Sequence, residues 1–291
     1  MALDIRIARD SSFCPGVGRA LEITEKILFN TDGPTYTLGP LIHNPEAVKR
    51  LAILGLHALD PGELESADLS GTSVIVRSHG IDIRTEKKLE ELGAEIVDAT
   101  CPTVKHAQEA ARELADDGYT VVVLGKEAHP EVHSIIGRAN GPVTVLENAD
   151  DARRWVEETG GSPGRVGIVC QTTISKDLLD AVVSILKESA EEVKVKNTLC
   201  ESVMQRRKAA IDLSRSVDLM IVVGGHNSSN TAQLAASCAA TGVTTRLIED
   251  TDEIQPEWLE GVESVGITGG ASTPDWQLEE TAYRLRKLES D

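Results

Sequence analysis

The chain has 291 residues, of which 41% are hydrophobic, 26% charged and 3% aromatic. This length and hydrophobic share predict a globular protein with a substantial core rather than a disordered segment. The formal net charge of −18 argues against non-specific binding of nucleic acid, but not against a small anion held by local donors. With no apolar run near ~18 residues and no apolar leader, we expect a cytoplasmic protein without a membrane span.

Three of the five cysteines each precede a segment with helical periodicity. Cys14, Cys101 and Cys200 open FCPGVGRALEITEKIL, TCPTVKHAQEAARELADDG and LCESVMQRRKAAIDLSRS. A helix N-terminus stabilises a thiolate, and three thiolates would hold a metal centre with one position open for catalysis. The alternative for any one cysteine is a small buried hydrophobe, which is our interpretation of Cys170 and Cys238.

Six apolar runs alternate with the helical segments, two in each third of the chain that a cysteine opens. They are TYTLGPLIHN, TSVIVRSHG, YTVVVLGKEAHPE, VGIVCQTTIS, LMIVVGGHNSSN and VGITGGASTPD. Such continuous runs are typical of buried parallel strands, and ligands bind beyond the carboxyl ends of these strands. We therefore predict an α/β fold with three lobes, residues 15–99, 100–196 and 197–291, the last completed by a strand within residues 1–14.

Each run ends in a polar or glycine-rich turn, and four of these turns carry a histidine. The candidates are His43, His79, His129 and His226. The remaining histidines lack this placement, and we expect surface or packing roles for His57, His106 and His133.

Two of the turns have the composition of anion sites. Ser228, Ser229 and Asn230 stand between a strand and a helix, and Ser272 occupies the corresponding place in GGASTPDWQ. Neutral hydroxyl, amide and backbone donors at a helix start bind anions well. The alternative is ordinary helix capping, which explains one residue for each helix.

A possible proton relay lies in the middle third. Glu131 stands two residues after His129, and Thr172 follows a predicted strand. A carboxylic acid beside a histidine and a hydroxyl can pass a proton to a ligand. The alternative for Glu131 is a solvated surface charge.

The motifs FCPGVGRA, LGPLIHNPEAV, VRSHG, DATCPTVKHAQ, AHPEV, QTTIS, GGHNSSNT and GASTPDW together resemble a known family. It is the 4-hydroxy-3-methylbut-2-enyl diphosphate reductase family of the LytB type, which ends the non-mevalonate isoprenoid route. The resemblance extends from about Cys14 to Trp276, with the motifs in the expected order.

The resemblance implies three similar α/β lobes in pseudo-threefold arrangement around an iron–sulfur site. It implies a [4Fe–4S] cluster with one open iron, held by Cys14, Cys101 and Cys200. Glu131 would supply a proton, with His129 and Thr172 contacting the substrate and orienting or relaying that proton. The remaining substrate contacts, chiefly to the diphosphate, would come from His43, His79, Ser228, Ser229, Asn230 and Ser272.

The same resemblance implies the reaction and its partners. An allylic diphosphate would lose its hydroxyl to give isopentenyl and dimethylallyl diphosphate, with electrons from a ferredoxin or flavodoxin. His226 falls where the family has a different polar side chain and is left outside the site. Basic stretches at 84–88 and 206–208 are candidates for docking the electron donor.

The sequence also departs from the family pattern Cys-x-Ala-Thr-x-x-Arg-Gln. Val203 and Arg207 replace the Thr and the Gln, and Ser12 replaces a Gly before Phe-Cys. An altered pocket wall can change substrate preference, so a paralogous reductase acting on another substrate is one alternative. The others are a non-enzymatic iron–sulfur redox sensor and a metal-free module that binds phosphorylated ligands.

Overall fold

The protein is described by a computed structural model that covers residues 3–31 and 33–290. The strands in these residues are β1 (Asp4–Ile7), β2 (Thr35–Leu38), β3 (Leu56–Leu59), β4 (Ser73–Val76), β5 (Glu95–Asp98), β6 (Thr120–Leu124), β7 (Val143–Leu146), β8 (Arg165–Cys170), β9 (Glu192–Val195), β10 (Leu219–Val223), β11 (Thr244–Ile248) and β12 (Ser264–Gly269). The α-helices are α1 (Pro15–Asn30), α2 (Pro45–Ile53), α3 (Ile83–Glu91), α4 (Pro102–Asp116), α5 (Pro130–Ile136), α6 (Ala149–Glu158), α7 (Lys176–Lys187), α8 (Glu201–Ser214), α9 (Ser229–Ala239) and α10 (Asp275–Ser290). Short 3₁₀ helices cover Pro61–Ser66, Thr251–Glu253 and Pro256–Leu259. Within the described part of the chain, no helix combines the length and apolar character needed to span a membrane.

The strands form three four-stranded sheets, which confirms the predicted α/β class. The strand orders are β1-β12-β10-β11, β3-β2-β4-β5 and β7-β6-β8-β9. Every pair of neighbouring strands is parallel. The N-terminal strand β1 pairs with β12 in register from Asp4 opposite Ser264 to Ile7 opposite Ile267.

The two central strands of each sheet are those that the apolar runs predicted. They are β2 and β4, β6 and β8, and β10 and β12. Their residues are almost all buried, because helices cover parallel sheets on both faces. The edge strands are more exposed, and their polar sequences, such as EIVD and EVKV, hide them from a search for apolar runs.

The helices begin where the sequence predicts. Helices α1, α4 and α8 start at the residue after Cys14, Cys101 and Cys200 respectively. Proline opens α1 and α4, at a position where its missing N–H costs nothing. The polar segment DDARRWVEETGGSPGR forms the expected surface helix, α6, whose N-cap Asn148 accepts hydrogen bonds from two backbone N–H groups.

By internal contacts the described chain separates into two compact units. The first contains the chain up to Gly18, Ile42–Leu54 and the chain from Glu201, and it includes the sheet β1-β12-β10-β11. The second contains Arg19–Leu41 and Gly55–Cys200, and it includes the other two sheets. The lobe limits 15–99, 100–196 and 197–291 stay a prediction.

Helix α4, which follows Cys101, packs closely on its sheet. Leu114 is fully buried in a cluster with Val121, Val123 and Val169. A Cβ atom at Gly167 on β8 would lie 2.8 Å from Leu114 Cδ2, so a glycine is needed at this approach. The side chain of Leu114 on α4 therefore packs directly against the backbone of β8 at Gly167.

We expect Leu114→Ala to lower the free energy of unfolding by about 2–5 kcal/mol, because it removes buried methyl groups and leaves a cavity. Leu54→Ala serves as the matched control, since Leu54 is 46% exposed and its truncation costs little. Urea titration of both variants measures the difference. Equal destabilisation of the two variants would contradict the packing described here.

Candidate active site

Each of the three candidate metal ligands is fixed by the same type of hydrogen bond. The loops that carry the cysteines leave the edge strands β1, β5 and β9, whose inner neighbours are β12, β4 and β8. In each case the cysteine N–H donates to a carbonyl in the turn that follows the neighbouring central strand. These bonds join Cys14 to Ala271 at 3.0 Å, Cys101 to Ser78 at 3.0 Å and Cys200 to Thr172 at 2.9 Å.

The surroundings of the cysteines separate ligand candidates from core residues. Cys14, Cys101 and Cys200 are partly exposed and precede helices, and the N–H of Val17 donates to Cys14 Sγ at 3.5 Å. Cys170 and Cys238 are fully buried, as predicted. Burial raises the pKa of the Cys170 thiol to about 12 and that of Cys238 to about 11. Thiolate chemistry at neutral pH is therefore disfavoured at these two positions.

The candidate acid Glu131 is buried, with 3% of its surface exposed. The N–H of Thr172 donates to Oε1 at 2.6 Å, and the Thr172 hydroxyl donates to Oε2 at 3.0 Å. Burial raises the pKa of Glu131 to about 7, although both bonds from Thr172 favour the ionised form. The alternative of a solvated charge is wrong, and Glu131 holds or releases a proton near neutral pH.

Two histidines lie beside this acid. His129 is the N-cap of α5, and its Nδ1 accepts a hydrogen bond from the N–H of Glu131 at 3.1 Å. A neutral His129 therefore carries its proton on Nε2. The rings of His129 and His79 meet edge to face, with centroids 5.5 Å apart. Ser134, whose hydroxyl lies 2.8 Å from the His79 carbonyl oxygen, holds the turn after β4 against α5.

In the second unit the candidate residues thus form one continuous line of contacts. It starts and ends at a cysteine, and its middle is the buried acid. The line consists of Cys101, Ser78, His79, His129, Glu131, Thr172 and Cys200.

The first unit contains the two predicted anion turns. Ser228 is the N-cap of α9, where its Oγ accepts a hydrogen bond from the N–H of Thr231 at 3.3 Å. Capping accounts for Ser228 alone. Ser229 is also buried, and Nδ2 of Asn230 is buried with no hydrogen-bond partner among the described residues. Polar donors beyond the needs of the cap are what an anion site requires.

Glycines bring these two turns together within the first unit. A Cβ atom at Gly224, whose φ is +147°, would lie 2.9 Å from Thr231 Oγ1 and 3.0 Å from Thr273 Oγ1. Thr273, next to the candidate Ser272, donates its hydroxyl to the Val223 carbonyl at 2.7 Å. The turn after β12 therefore lies directly against the turn after β10.

His43 also lies next to the turn after β10. Its carbonyl oxygen would be 2.8 Å from a Cβ atom at Gly225, so the histidine segment lies against the turn after β10. Cys14, bonded to Ala271, lies at the turn after β12. The first unit therefore brings Cys14, His43, Ser228 and Ser272 to adjoining turns.

Arg206 corrects the prediction of an exposed basic stretch at 206–208. It is 2% exposed, so it cannot belong to a surface docking patch. Its guanidinium donates to the carbonyl of Gly269 at 2.8 Å and to that of Ser12. Arg206 therefore ties the segment before Cys14 to the end of β12, and its place in the cysteine motif was the available signal.

Gln171 was missed for a different reason. It is fully buried, accepts from the N–H of Lys126 at 3.0 Å and donates to Thr173 Oγ1 at 3.2 Å. It thereby joins the turns after β6 and β8. The available signal was its place directly after an apolar run, in the motif QTTIS.

The histidines left outside the predicted site are all exposed. His226 is exposed, with Nε2 3.1 Å from a carboxylate oxygen of Glu253. The others, His57, His106 and His133, are also exposed.

The sequence matches the family described as LytB protein over residues 5–286. The chain belongs to the LytB protein family. A relative from Geobacter metallireducens, named 4-hydroxy-3-methylbut-2-enyl diphosphate reductase, is 41% identical over 291 residues and 99% of both chains. A relative of the same name from Aquifex aeolicus is 40% identical, over 98% of this chain and 97% of its own.

Two solved structures are similar to this chain. One is titled (E)-4-hydroxy-3-methyl-but-2-enyl diphosphate reductase, the terminal enzyme of the non-mevalonate pathway. It is 40% identical, has a TM-score of 0.71, and the match covers 98% of this chain and 99% of that one. A reductase structure from Plasmodium falciparum, 23% identical with a TM-score of 0.86, shares the fold over 97% of this chain and 88% of its own.

The raised pKa of Glu131 predicts how stability changes with pH. An unfolded glutamate ionises near pH 4.3, whereas the folded one holds its proton to about pH 7. The stabilising contribution is therefore complete below the unfolded pKa and is lost as the pH rises through 7. We expect the wild type to lose about 2 kcal/mol relative to Glu131→Gln between pH 5 and pH 8.

Urea titrations of both proteins at the two pH values measure this difference. Glu127→Gln is the control, because Glu127 is exposed in the loop that precedes α5. A wild-type curve parallel to that of Glu131→Gln would show that the buried carboxyl titrates normally.

Proposed function

We propose that this protein is a 4-hydroxy-3-methylbut-2-enyl diphosphate reductase. The observation that carries the proposal is the buried Glu131, held by Thr172 and flanked by His129, with a pKa of about 7. A non-catalytic redox sensor does not require a buried proton donor beside His129 and Thr172. The names of relatives at about 40% identity support the same activity.

The cysteines fit an iron–sulfur cluster by their chemistry. Cys14, Cys101 and Cys200 are partly exposed and sit at helix starts, where backbone N–H groups favour a thiolate. We propose that they hold a [4Fe–4S] cluster with one open iron. When bound, such a cluster supplies single-electron transfer and Lewis acidity.

The proposed reaction takes up two electrons and two protons for each substrate molecule. The allylic C–O bond breaks, the oxygen leaves as water and a C–H bond forms. A ferredoxin or flavodoxin would deliver the electrons one at a time. The products are isopentenyl and dimethylallyl diphosphate.

Neutral hydroxyl and amide donors would bind the diphosphate. Ser228, Ser229, Asn230 and Ser272 offer hydroxyl and amide groups at the start of α9 and in the turn after β12, beside His43. The −18 charge of the protein repels a diphosphate at long range, so short-range donors have to supply the affinity. The fixed diphosphate then positions the reacting end of the substrate.

Glu131 supplies the proton that leaves with the oxygen. When protonated, it donates from Oε2 to the Thr172 hydroxyl and still accepts the N–H of Thr172 on Oε1. The Thr172 hydroxyl can then pass its own hydrogen onward, which makes Thr172 the relay. His129, with Nδ1 held by the N–H of Glu131, presents its Nε2 hydrogen as a further donor, beside His79.

We expect Glu131→Gln to reduce turnover by a factor of about 10²–10⁴, since general acid catalysis contributes about this much. The amide preserves the bond from the N–H of Thr172 and removes the acidic proton. The measurement is anaerobic, substrate-dependent oxidation of a reduced viologen by cluster-loaded protein. In the wild type kcat/KM should fall as the pH rises above about 7, where Glu131 loses its proton.

Glu127→Gln again provides the control and should retain full turnover. Iron content is measured on the same samples, so that a lost cluster is not mistaken for a lost acid. A Glu131→Gln enzyme with normal iron and normal turnover would remove the basis of the proposal.

We expect Cys14→Ala, Cys101→Ala and Cys200→Ala each to lower bound iron and visible absorbance severely, because each removes a proposed ligand. Cys238→Ala should retain both signals, because Cys238 is buried and burial raises the pKa of its thiol. Iron analysis and absorbance of anaerobically purified protein measure the effect. Full iron in any of the first three variants would exclude that cysteine as a ligand.

A further inference from the structure

Arg207 is connected to the candidate anion turn of the first unit through the side chain of Gln233. It belongs to α8, and its Nη2 donates to Oε1 of Gln233 on α9 at 2.8 Å. Nε2 of Gln233 lies 3.4 Å from Oγ of Ser229, four residues earlier on the same helix face. A line of polar contacts therefore leads from a guanidinium through an amide to a buried serine of the turn.

The donor pattern of arginine gives this line a direction. A guanidinium has only donors, so the amide oxygen of Gln233 has to face Arg207. The amide NH₂ then faces Ser229, and the Ser229 oxygen accepts from it. The hydroxyl hydrogen of Ser229 is thereby directed away from Gln233 and is available to a ligand.

We propose that Arg207 is a positioning residue of the diphosphate site. By fixing the Gln233 amide, it keeps the Ser229 hydroxyl oriented as a donor to a phosphate oxygen. This inference rests on the proposed function, since it needs an anion at the start of α9.

A glutamine in place of Arg207 would not give this line of contacts the same direction. A glutamine side chain both donates and accepts, so it can pair with either end of Gln233 and fixes neither orientation. Arg207 removes that ambiguity, because a guanidinium only donates hydrogen bonds.

The test is a double-mutant cycle with Arg207→Gln, Ser229→Ala and the combination, using the iron-loaded enzyme. Isothermal titration with inorganic diphosphate gives the Kd, and steady-state assays give KM and kcat separately. We expect Arg207→Gln to weaken diphosphate binding about fivefold and to raise KM with little change in kcat. In the Ser229→Ala background the same substitution should change Kd less than about twofold.

Two further variants separate orientation from charge and from folding. Arg207→Lys keeps a donor-only side chain, so, unlike Arg207→Gln, it should bind diphosphate with a Kd near that of the wild type. Arg215→Gln removes a positive charge from an exposed arginine just after α8 and should leave Kd unchanged.

The outcomes distinguish this inference from the function on which it rests. Equal effects of Arg207→Gln in both backgrounds would mean that Arg207 acts by its charge or by folding, which overturns the inference. An unchanged Kd in Arg207→Gln overturns it as well, while leaving the reductase proposal intact. A wild-type enzyme that binds no diphosphate overturns the anion site and the inference together.

Discussion

The hydrogen bond from each cysteine N–H to the turn of the neighbouring strand is the constraint on which the candidate site depends. Parallel pairing sends adjacent strands out of the sheet at the same edge, so their following loops run side by side. The bond occurs at 2.9–3.0 Å for Cys14, Cys101 and Cys200. Each partner carbonyl lies in or next to a candidate substrate residue, namely Ser272, His79 or Thr172. Metal-ligand candidates and substrate candidates are therefore coupled by the backbone.

Burial gives this acidic protein a carboxyl group whose pKa lies near neutral pH. Glu131 is one of 47 acidic residues, and its low exposure distinguishes it, because desolvation raises its pKa against two hydrogen bonds that lower it. In the first unit, two consecutive arginines of α8 donate hydrogen bonds to neighbouring segments. Arg206 ties Ser12 to the end of β12, and Arg207 contacts Gln233 on α9, so consecutive residues of α8 hold two different segments.

Much of the fold and most of the candidate residues were predictable from the sequence. Central parallel strands are covered on both faces, so β4, β6 and β10 appear as unbroken apolar runs, and their turns carry the polar candidates. Helix starts after Cys14, Cys101 and Cys200 follow from periodicity and from proline placement. The edge strands β3, β5, β7, β9 and β11 were missed, because a strand with one exposed face mixes polar and apolar residues as loops do.

The sequence by itself determined which residue types follow each central strand, since local pattern and turn chemistry are written in consecutive residues. Only the tertiary structure decided what those residues experience. From the sequence alone, Glu131 could have been a solvated charge and Arg206 part of an exposed basic stretch, yet both side chains are buried. The pairing of Thr172 with Glu131 and of Gln233 with Arg207 joins residues 41 and 26 positions apart. Burial and such pairings arise from packing between distant segments, which no local pattern encodes.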